Sequence, residues 1–409
     1  MGSRTRCTTG AAVRLLHVVP SIDPKLGGLV ESPLHMAAAM SPLGICTEVL
    51  SLESPSEAHR AKWRVPVHGL GKTLTYYQYS RPLVPWLRNH HSRYDAVVVH
   101  GIWRYSSVGV WRALRNTSTP YFLFPHGMLD PWFSQAYLWK HIKKTVFWRL
   151  IEHRVLRDAR SVLFTCEAER QLAREAFRPF RCDECVIGMG TASPPDAVPE
   201  QLGEFYQAFP GSRGHRNILF LSRIHRKKGC DLLIRAFARV AGSDHRFRLI
   251  IAGPDEEGLR PRLERLAREL GIHERLTWTG HLQGAARWGA FRAAEVFALP
   301  SHSENYGHAV VEAMACELPV LITNKVNIWN EISASEAGIV APDDLNGVCE
   351  LLSKWISLNE DQRKTLTRNA RQCFSERFEV GAFARRFASY LETAKSKPSE
   401  SQTEAVANG

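Results

Sequence analysis

Residues 218–240 read ILFLSRIHRKKGCDLLIRAFARV. Ile218 to Ser222 is an apolar run without period-two alternation, which predicts a strand buried on both faces. Leu232, Leu233, Ala236, Phe237 and Val240 then recur at helical spacing, one apolar stripe of an amphipathic helix. Between them lies Leu221-Ser222-Arg223-Ile224-His225-Arg226-Lys227-Lys228-Gly229, a basic turn that ends the strand and opens the helix.

The same strand–helix step recurs in both directions. Downstream, strand Arg248 to Ala252 precedes a helix carrying Leu259, Leu263, Leu266 and Leu270. Strands follow at Leu276 to Thr279 and Glu295 to Leu299, then helix Tyr306 to Cys316 and strand Pro319 to Thr323. Helices near Asp344–Ser357, Glu360–Phe374 and Val380–Ala394 complete this half. Upstream, strands are expected at Val13–Val19, Thr47–Ser51, Asp95–His100, Tyr121–Phe124 and Ser161–Phe164. The helices among them are Gly28–Met40, Val108–Arg115 and a long one over Tyr137–Arg157. The stretch 191–214, TASPPDAVPEQLGEFYQAFPGSRG, is rich in proline and glycine and reads as a linker. Alternating elements on each side of it predict an α/β protein of two doubly wound, Rossmann-like domains, 1–190 and 215–375, facing a cleft. The polar tail 395–409 is expected to be disordered. Ligands of such sheets sit beyond the carboxyl ends of the strands.

Two strand ends carry the chemistry. At the first, a helix N-terminus offers N–H groups and the positive end of a dipole, and Arg223 and Lys228 add fixed charge. Together they suit a diphosphate; a merely solvated basic loop is the alternative. No G-x-x-x-x-G-K-[ST] loop is present. At the second, Ser303-Glu304-Asn305-Tyr306-Gly307-His308-Ala309-Val310-Val311-Glu312 leads from a strand into a helix. Gly307 permits close approach of a ligand to the backbone. Glu304 suits a hydroxyl, or is simply an acid placed at a helix start. Glu312 sits among Val310, Val311, Ala313, Met314 and Ala315, so an acid there needs a partner.

Arg223…Lys228-Gly229 after one strand, Ala252-Gly253-Pro254 after the next, and the pair Glu304/Glu312 with Gly307 between them resemble the retaining family-4 (group 1) glycosyltransferases of GT-B fold. The resemblance runs over roughly 13–390. It implies that Arg223 and Lys228 hold the donor diphosphate, that Glu304 contacts the donor sugar, and that Glu312 holds the ribose hydroxyls. Gly253, Leu282, Asn305, Tyr306, Gly307 and His308 join the donor site by the same resemblance, with Gly280-His281-Leu282 near the base. The pair Gly27-Gly28, otherwise a tight turn, becomes a loop over the donor phosphates. A helix over 376–394 is expected to return to the N-terminal domain. His126, in FPHGMLDPW, best matches the histidine placed beside the donor sugar, and His100, in VVVHGIW, is an acceptor-side candidate. The chain departs from the commoner pattern at Gly188-Met189-Gly190-Thr191 and at His308.

The resemblance implies transfer of a hexose-type sugar from a nucleoside diphosphate donor to a hydroxyl of a glycan or lipid-linked glycan, with retention, in surface polysaccharide synthesis. Neither a metal nor a cofactor is expected. A sugar phosphorylase or nucleotide-sugar epimerase of the same fold, an inactive scaffold, and, from another class, a nucleic-acid-binding protein suggested by the basic charge are the alternatives.

Composition sets outer bounds. Of 409 residues, 44% are hydrophobic and 23% charged, the balance of a globular protein. No run of 18 apolar residues suggests a spanning helix, and the N-terminus reads as a first strand rather than a signal peptide. The formal charge of +12 favours anionic partners. No nucleic-acid reader motif accompanies it, so nucleic acid is not an expected partner. The nine cysteines are dispersed, as in a reducing cytoplasm, and Cys182-Asp183-Glu184-Cys185 lacks a second pair for zinc. Residues 131–160 carry a net +5 together with Trp132, Phe133, Tyr137, Trp139, Phe147 and Trp148. This reads either as a core helix with a solvated basic face or as a segment whose Trp132–Lys144 end lies on an anionic cytoplasmic membrane.

Overall fold

The computed structural model describes residues 13–23, 28–132, 138–241 and 244–396. The chain forms two compact units: one takes residues up to Ala192 together with the segment from Val380, the other Ser193–Glu379. The polar tail lies outside the described residues except for Lys395 and Ser396, which end the last helix.

The first unit is built on seven parallel strands: β1 (Arg14–Val19), β2 (Cys46–Ser51), β3 (Val67–Gly69), β4 (Ala96–His100), β5 (Tyr121–Phe124), β6 (Ser161–Phe164) and β7 (Glu184–Val186), in the order β3-β2-β1-β4-β5-β6-β7. The short strand β3 was not anticipated from sequence; its three half-buried residues at the sheet edge carry no apolar run. The central strand AVVVH is buried throughout because both faces are covered. Val97 and Val99 pack with Trp111 and Trp148 on one side. Ala96 and Val98 pack on the other with Phe122 and with Phe383, Phe387 and Leu391 of the last helix, Val380–Ser396.

The expected long helix over 137–157 is interrupted. An α-helix Leu138–Phe147 passes through a π-turn at Trp148–Glu152 before α-helix His153–Arg157. The turn buries both Trp148 and Glu152, and Glu152 Oε1 accepts from Ser107 Oγ at 2.8 Å.

The second unit has six parallel strands: β8 (Arg216–Leu221), β9 (Phe247–Ala252), β10 (Leu276–Gly280), β11 (Ala294–Leu299), β12 (Val320–Thr323) and β13 (Gly338–Ala341), in the order β10-β9-β8-β11-β12-β13. The order reverses between β8 and β11, so the crevice of this sheet opens there.

The proline-rich stretch 191–214 is not a plain linker. It contains helix Pro199–Ala208, with Phe205 fully buried. That helix packs on helix Gly284–Ala293, where a Cβ on Gly289 would meet Gln201 O at 2.0 Å. Proline set at the first helical turn starts a helix rather than breaking one, which the composition alone conceals.

Among the described residues no helix is long and apolar enough to cross a membrane. Among the described residues Cys166, Cys182, Cys185, Cys230, Cys316, Cys349 and Cys373 are free thiols.

Candidate active site

In the second unit the loops after β8 and β11 meet at the reversal of strand order. The β8 loop turns through Arg226–Lys228, capped by the His225 ring, which accepts from Lys227 N at 3.0 Å. Gly229 then takes a left-handed conformation (φ 65°) against Pro300, where a Cβ would lie 2.0 Å from the carbonyl oxygen. This close approach is what brings Lys228 over the β11 loop. His302 N donates to Lys227 O at 2.8 Å, and the Lys228 ammonium pairs with the Glu304 carboxylate. Burial alone would push the Glu304 carboxyl up; the Lys228 charge and hydrogen bond, with Lys227 and His308 beyond, hold it below the usual carboxylate range. Both backbone groups of Glu304 are tied to the β12 loop: its N–H donates to Lys325 O and its carbonyl accepts from Asn327 N, each at 2.9 Å.

Arg223 is more than half exposed and pairs with Glu256 at 2.9 Å. Its loop is bonded to the one after β9 through Ile224 N to Pro254 O, 2.8 Å. Gly253 is held at φ 143°, and a Cβ there would meet Ser222 O at 1.8 Å, so only glycine lets the two loops lie together.

The helix of the second motif spans His308–Ala315 rather than starting at Tyr306, because Gly307 (φ 69°) is its cap. Tyr306 instead buries its ring beside His308 and Phe378, centroids 5.0 and 5.9 Å away. Asn305 Oδ1 accepts from Asn327 Nδ2 at 3.2 Å. Leu282 is buried in the loop after β10. Glu312 is 8% exposed, and its partner is Arg287 from helix Gly284–Ala293. Arg287 carried no sequence signal, since its helix is remote in sequence and weakly patterned.

In the first unit Gly28 opens helix Gly28–Met40, and Gly27 lies outside the described residues. His100 ends β4 and His126 follows β5, and they are not independent. His100 Nδ1 lies 2.9 Å from His126 Nε2, and His100 Nε2 lies 2.8 Å from Nδ1 of His17 on β1. His17 and His100 are fully buried. Phe124 stacks beside His100 and His126 at interplanar angles of 4° and 17°. His126 has a positive φ of 52°, an uncommon conformation for a histidine. The following N–H, of Gly127, donates to Glu169 Oε1 at 2.6 Å, and the other oxygen of Glu169 accepts from Thr165 N at 2.7 Å. His17 and Glu169 were missed by sequence reading: one lies inside an apolar strand, the other inside a charged helix.

Comparison with known proteins bears on the family and the fold. Residues 206–373 match the model of glycosyl transferases group 1, and residues 27–188 that of the glycosyl transferase 4-like domain. The chain is 32% identical over 163 residues to a D-inositol 3-phosphate glycosyltransferase of Saccharomonospora viridis, 38% of each chain. It is 40% identical over 107 residues to that of Mycolicibacterium smegmatis, 25% of this chain and 24% of the relative. The matched region is thus well under half the length of these curated relatives. Among solved structures, HepE of Anabaena in complex with UDP and glucose superposes with a TM-score of 0.72 at 19% identity, covering 93% of this chain and all of the other. A glycosyltransferase from Rickettsia africae gives 0.75 at 16% identity, covering 95% and 100%. Two matched family models in chain order and a shared two-sheet fold establish the assignment: the chain belongs to the group 1, family-4 glycosyltransferases of GT-B fold, and is an enzyme of that class.

Proposed function

We propose that the chain transfers a hexose-type sugar from a nucleoside diphosphate to a hydroxyl of a glycan or lipid-linked glycan, with retention at the anomeric carbon. The observation that carries this is the meeting of Lys228 and Glu304 at the strand-order reversal of the second sheet, with Arg223 alongside. An ammonium has three donors, so Lys228 can hold Glu304 and still offer N–H groups to a phosphate. Arg223 and Lys228 then stabilise the departing diphosphate, where negative charge develops. Glu304, presented by its loop, takes a sugar hydroxyl. Glu312, oriented by Arg287, takes the ribose, and the loop through Leu282 flanks the base. His126 donates a hydrogen bond to the sugar, and His100 supports it. HepE is described in complex with UDP and glucose, which favours a nucleotide-sugar donor here too.

The test is thermal protection by a panel of UDP- and GDP-sugars, followed by release of nucleoside diphosphate with and without glycan acceptors. Acceptor-dependent release with the anomeric configuration of the donor conserved in the product supports the reading. Release that requires phosphate, or interconversion of donor sugars without release, indicates a phosphorylase or an epimerase instead.

The proposal extends to an acceptor at the cytoplasmic face of an anionic membrane, in surface polysaccharide synthesis. What favours this is an exposed apolar stripe at four-residue spacing, Ile142, Val146 and Leu150, exposed by 47%, 54% and 61%. Exposed Lys143, Arg149 and Arg154 accompany it. Lys144 is engaged elsewhere, 4.7 Å from the centre of the Trp103 ring. The proposed docking face therefore takes in Ile142–Leu150 beside the Trp132–Lys144 end, of which residues 133–137 lie outside the described ones.

A further inference from the structure

His17, His100 and His126 form one hydrogen-bonded chain of imidazoles across β1, β4 and the turn after β5, each ring joined Nδ1 to Nε2. Each of the two bonds holds one proton between its nitrogens. Three neutral rings carry three protons, so the third sits at an end: on His17 Nε2 or on His126 Nδ1. The His17 end is fully buried, and its Nε2 has no hydrogen-bond partner among the described residues. A proton there is a buried N–H with no acceptor, the rarest kind of unsatisfied group in native proteins, whereas an unmet acceptor is better tolerated.

We infer that His17 and His100 are positioning residues that fix the tautomer of His126, so that His126 carries its proton on Nδ1 and accepts from His100 through Nε2. Each ring thereby donates outward to the next, and His126 presents a neutral N–H donor instead of a basic nitrogen. A fourth proton would place a charge in the chain. Burial opposes this, lowering His17 to about 4 and holding His100 well below the ordinary histidine range, where the neighbouring rings add to the effect. The backbone of His126 is held as firmly, by its left-handed conformation and by the Gly127–Glu169 hydrogen bond. The chemical consequence is an N–H donor at this position, suited to an uncharged oxygen such as a sugar hydroxyl, and no general base. This part rests on the reading of His126 as a sugar contact; the tautomer itself does not.

The experiment is long-range proton–nitrogen correlation NMR on protein labelled with nitrogen-15 in histidine, near neutral pH, with His17→Asn, His100→Asn and His126→Gln used for assignment. All three rings are expected to be neutral and protonated on Nδ1. A His126 ring protonated on Nε2, or on both nitrogens, overturns the inference on the wild-type protein alone. His100→Phe removes the donor, and the His126 signature should shift towards a mixture of tautomers while transfer slows about tenfold or more, the scale on which loss of an orienting partner acts. His100→Asn, whose amide can still donate, should keep the signature and turn over closer to wild type. An unchanged His126 signature in His100→Phe also overturns the inference. Undiminished transfer by His126→Ala, with the wild-type signature as expected, refutes the sugar contact and leaves the tautomer standing.

Discussion

Lys228 and Glu304 form a largely buried ion pair that joins the loop after β8 to the loop after β11, the two strands between which the second sheet reverses its order. Arg223, five residues earlier in the same loop, makes its ion pair with Glu256 in solvent. Two cations of one motif thus stand in opposite electrostatic settings, and their replacements should separate accordingly.

Arg223→Ala and Lys228→Ala should each slow transfer by about a hundredfold or more, as expected for lost partners of transition-state charge. Their stabilities should differ. An exposed pair contributes little, so Arg223→Ala should melt like wild type. Lys228→Ala leaves a buried carboxylate without its counter-ion, a loss of about 3 kcal/mol. The double change with Glu304→Gln should recover much of that stability and none of the activity. Thermal melts beside steady-state kinetics decide it; equal melting of the two single variants would contradict the burial argument.

Glu312 and Arg287 should act as a unit in nucleotide binding. Glu312→Gln is expected to weaken both donor and free nucleoside diphosphate, and Arg287→Ala to weaken them in the same direction by releasing the carboxylate from its orientation. Glu304→Gln should impair turnover while nucleoside diphosphate still binds. Calorimetric titration of the three variants with nucleoside diphosphate separates these roles, and equal losses for Glu304→Gln and Glu312→Gln would merge them.

Two buried groups should give stability an unusual pH profile. Burial pushes the Glu152 carboxyl up to about 7, partly offset by its bonds to Ser107 and Trp103 N. The folded protein therefore binds this proton more tightly than the unfolded chain does, so its contribution is present at low pH and is lost as pH rises from about 4.5 to about 7. His17, lowered to about 4, works in the opposite sense: its contribution is present above 6.5 and is lost as pH falls towards 4. The two partly cancel in the wild type. Glu152→Gln should match wild type near the acid end, exceed it in melting temperature above neutrality, and expose the rising histidine limb between. Melting curves for the variant that run parallel to wild type across this range would contradict the assignment.

The apolar stripe on helix Leu138–Phe147 and its π-turn makes a prediction about lipid. Sedimentation with vesicles containing anionic lipid should carry the protein down at low salt and less so at moderate salt. Ile142→Ser/Val146→Ser/Leu150→Ser should release it, as should Lys143→Glu/Arg149→Glu, with transfer to a soluble acceptor unchanged in both. Absence of pelleting at low salt would place the acceptor in solution.

The local sequence determined most of the strands and many of the helices, because buried parallel strands are short apolar runs and their covering helices carry a single apolar stripe; the short strands β3, β7 and β13 carry no such buried run. Ile218–Ser222 with its helix, Ala96–His100, and the glycines at 229, 253 and 307 could be read from residues close together in the chain. So could the motif residues Arg223, Lys228, Glu304 and Glu312, whose spacing along two strand–helix turns is itself local. What the tertiary structure decided were the partnerships. That Lys228 meets Glu304, that Glu312 is answered by Arg287, and that His17, His100 and His126 make one chain depend on the order in which strands lie side by side, and no local pattern encodes that order. The helix at Pro199–Ala208 belongs to the same class. Its composition is that of a linker, and it becomes a helix because Gly289 lets another helix approach closely enough to bury Phe205. Burial likewise separates Arg223 from Lys228, two cations that look alike in the sequence until the fold leaves one in water and takes the other out of it.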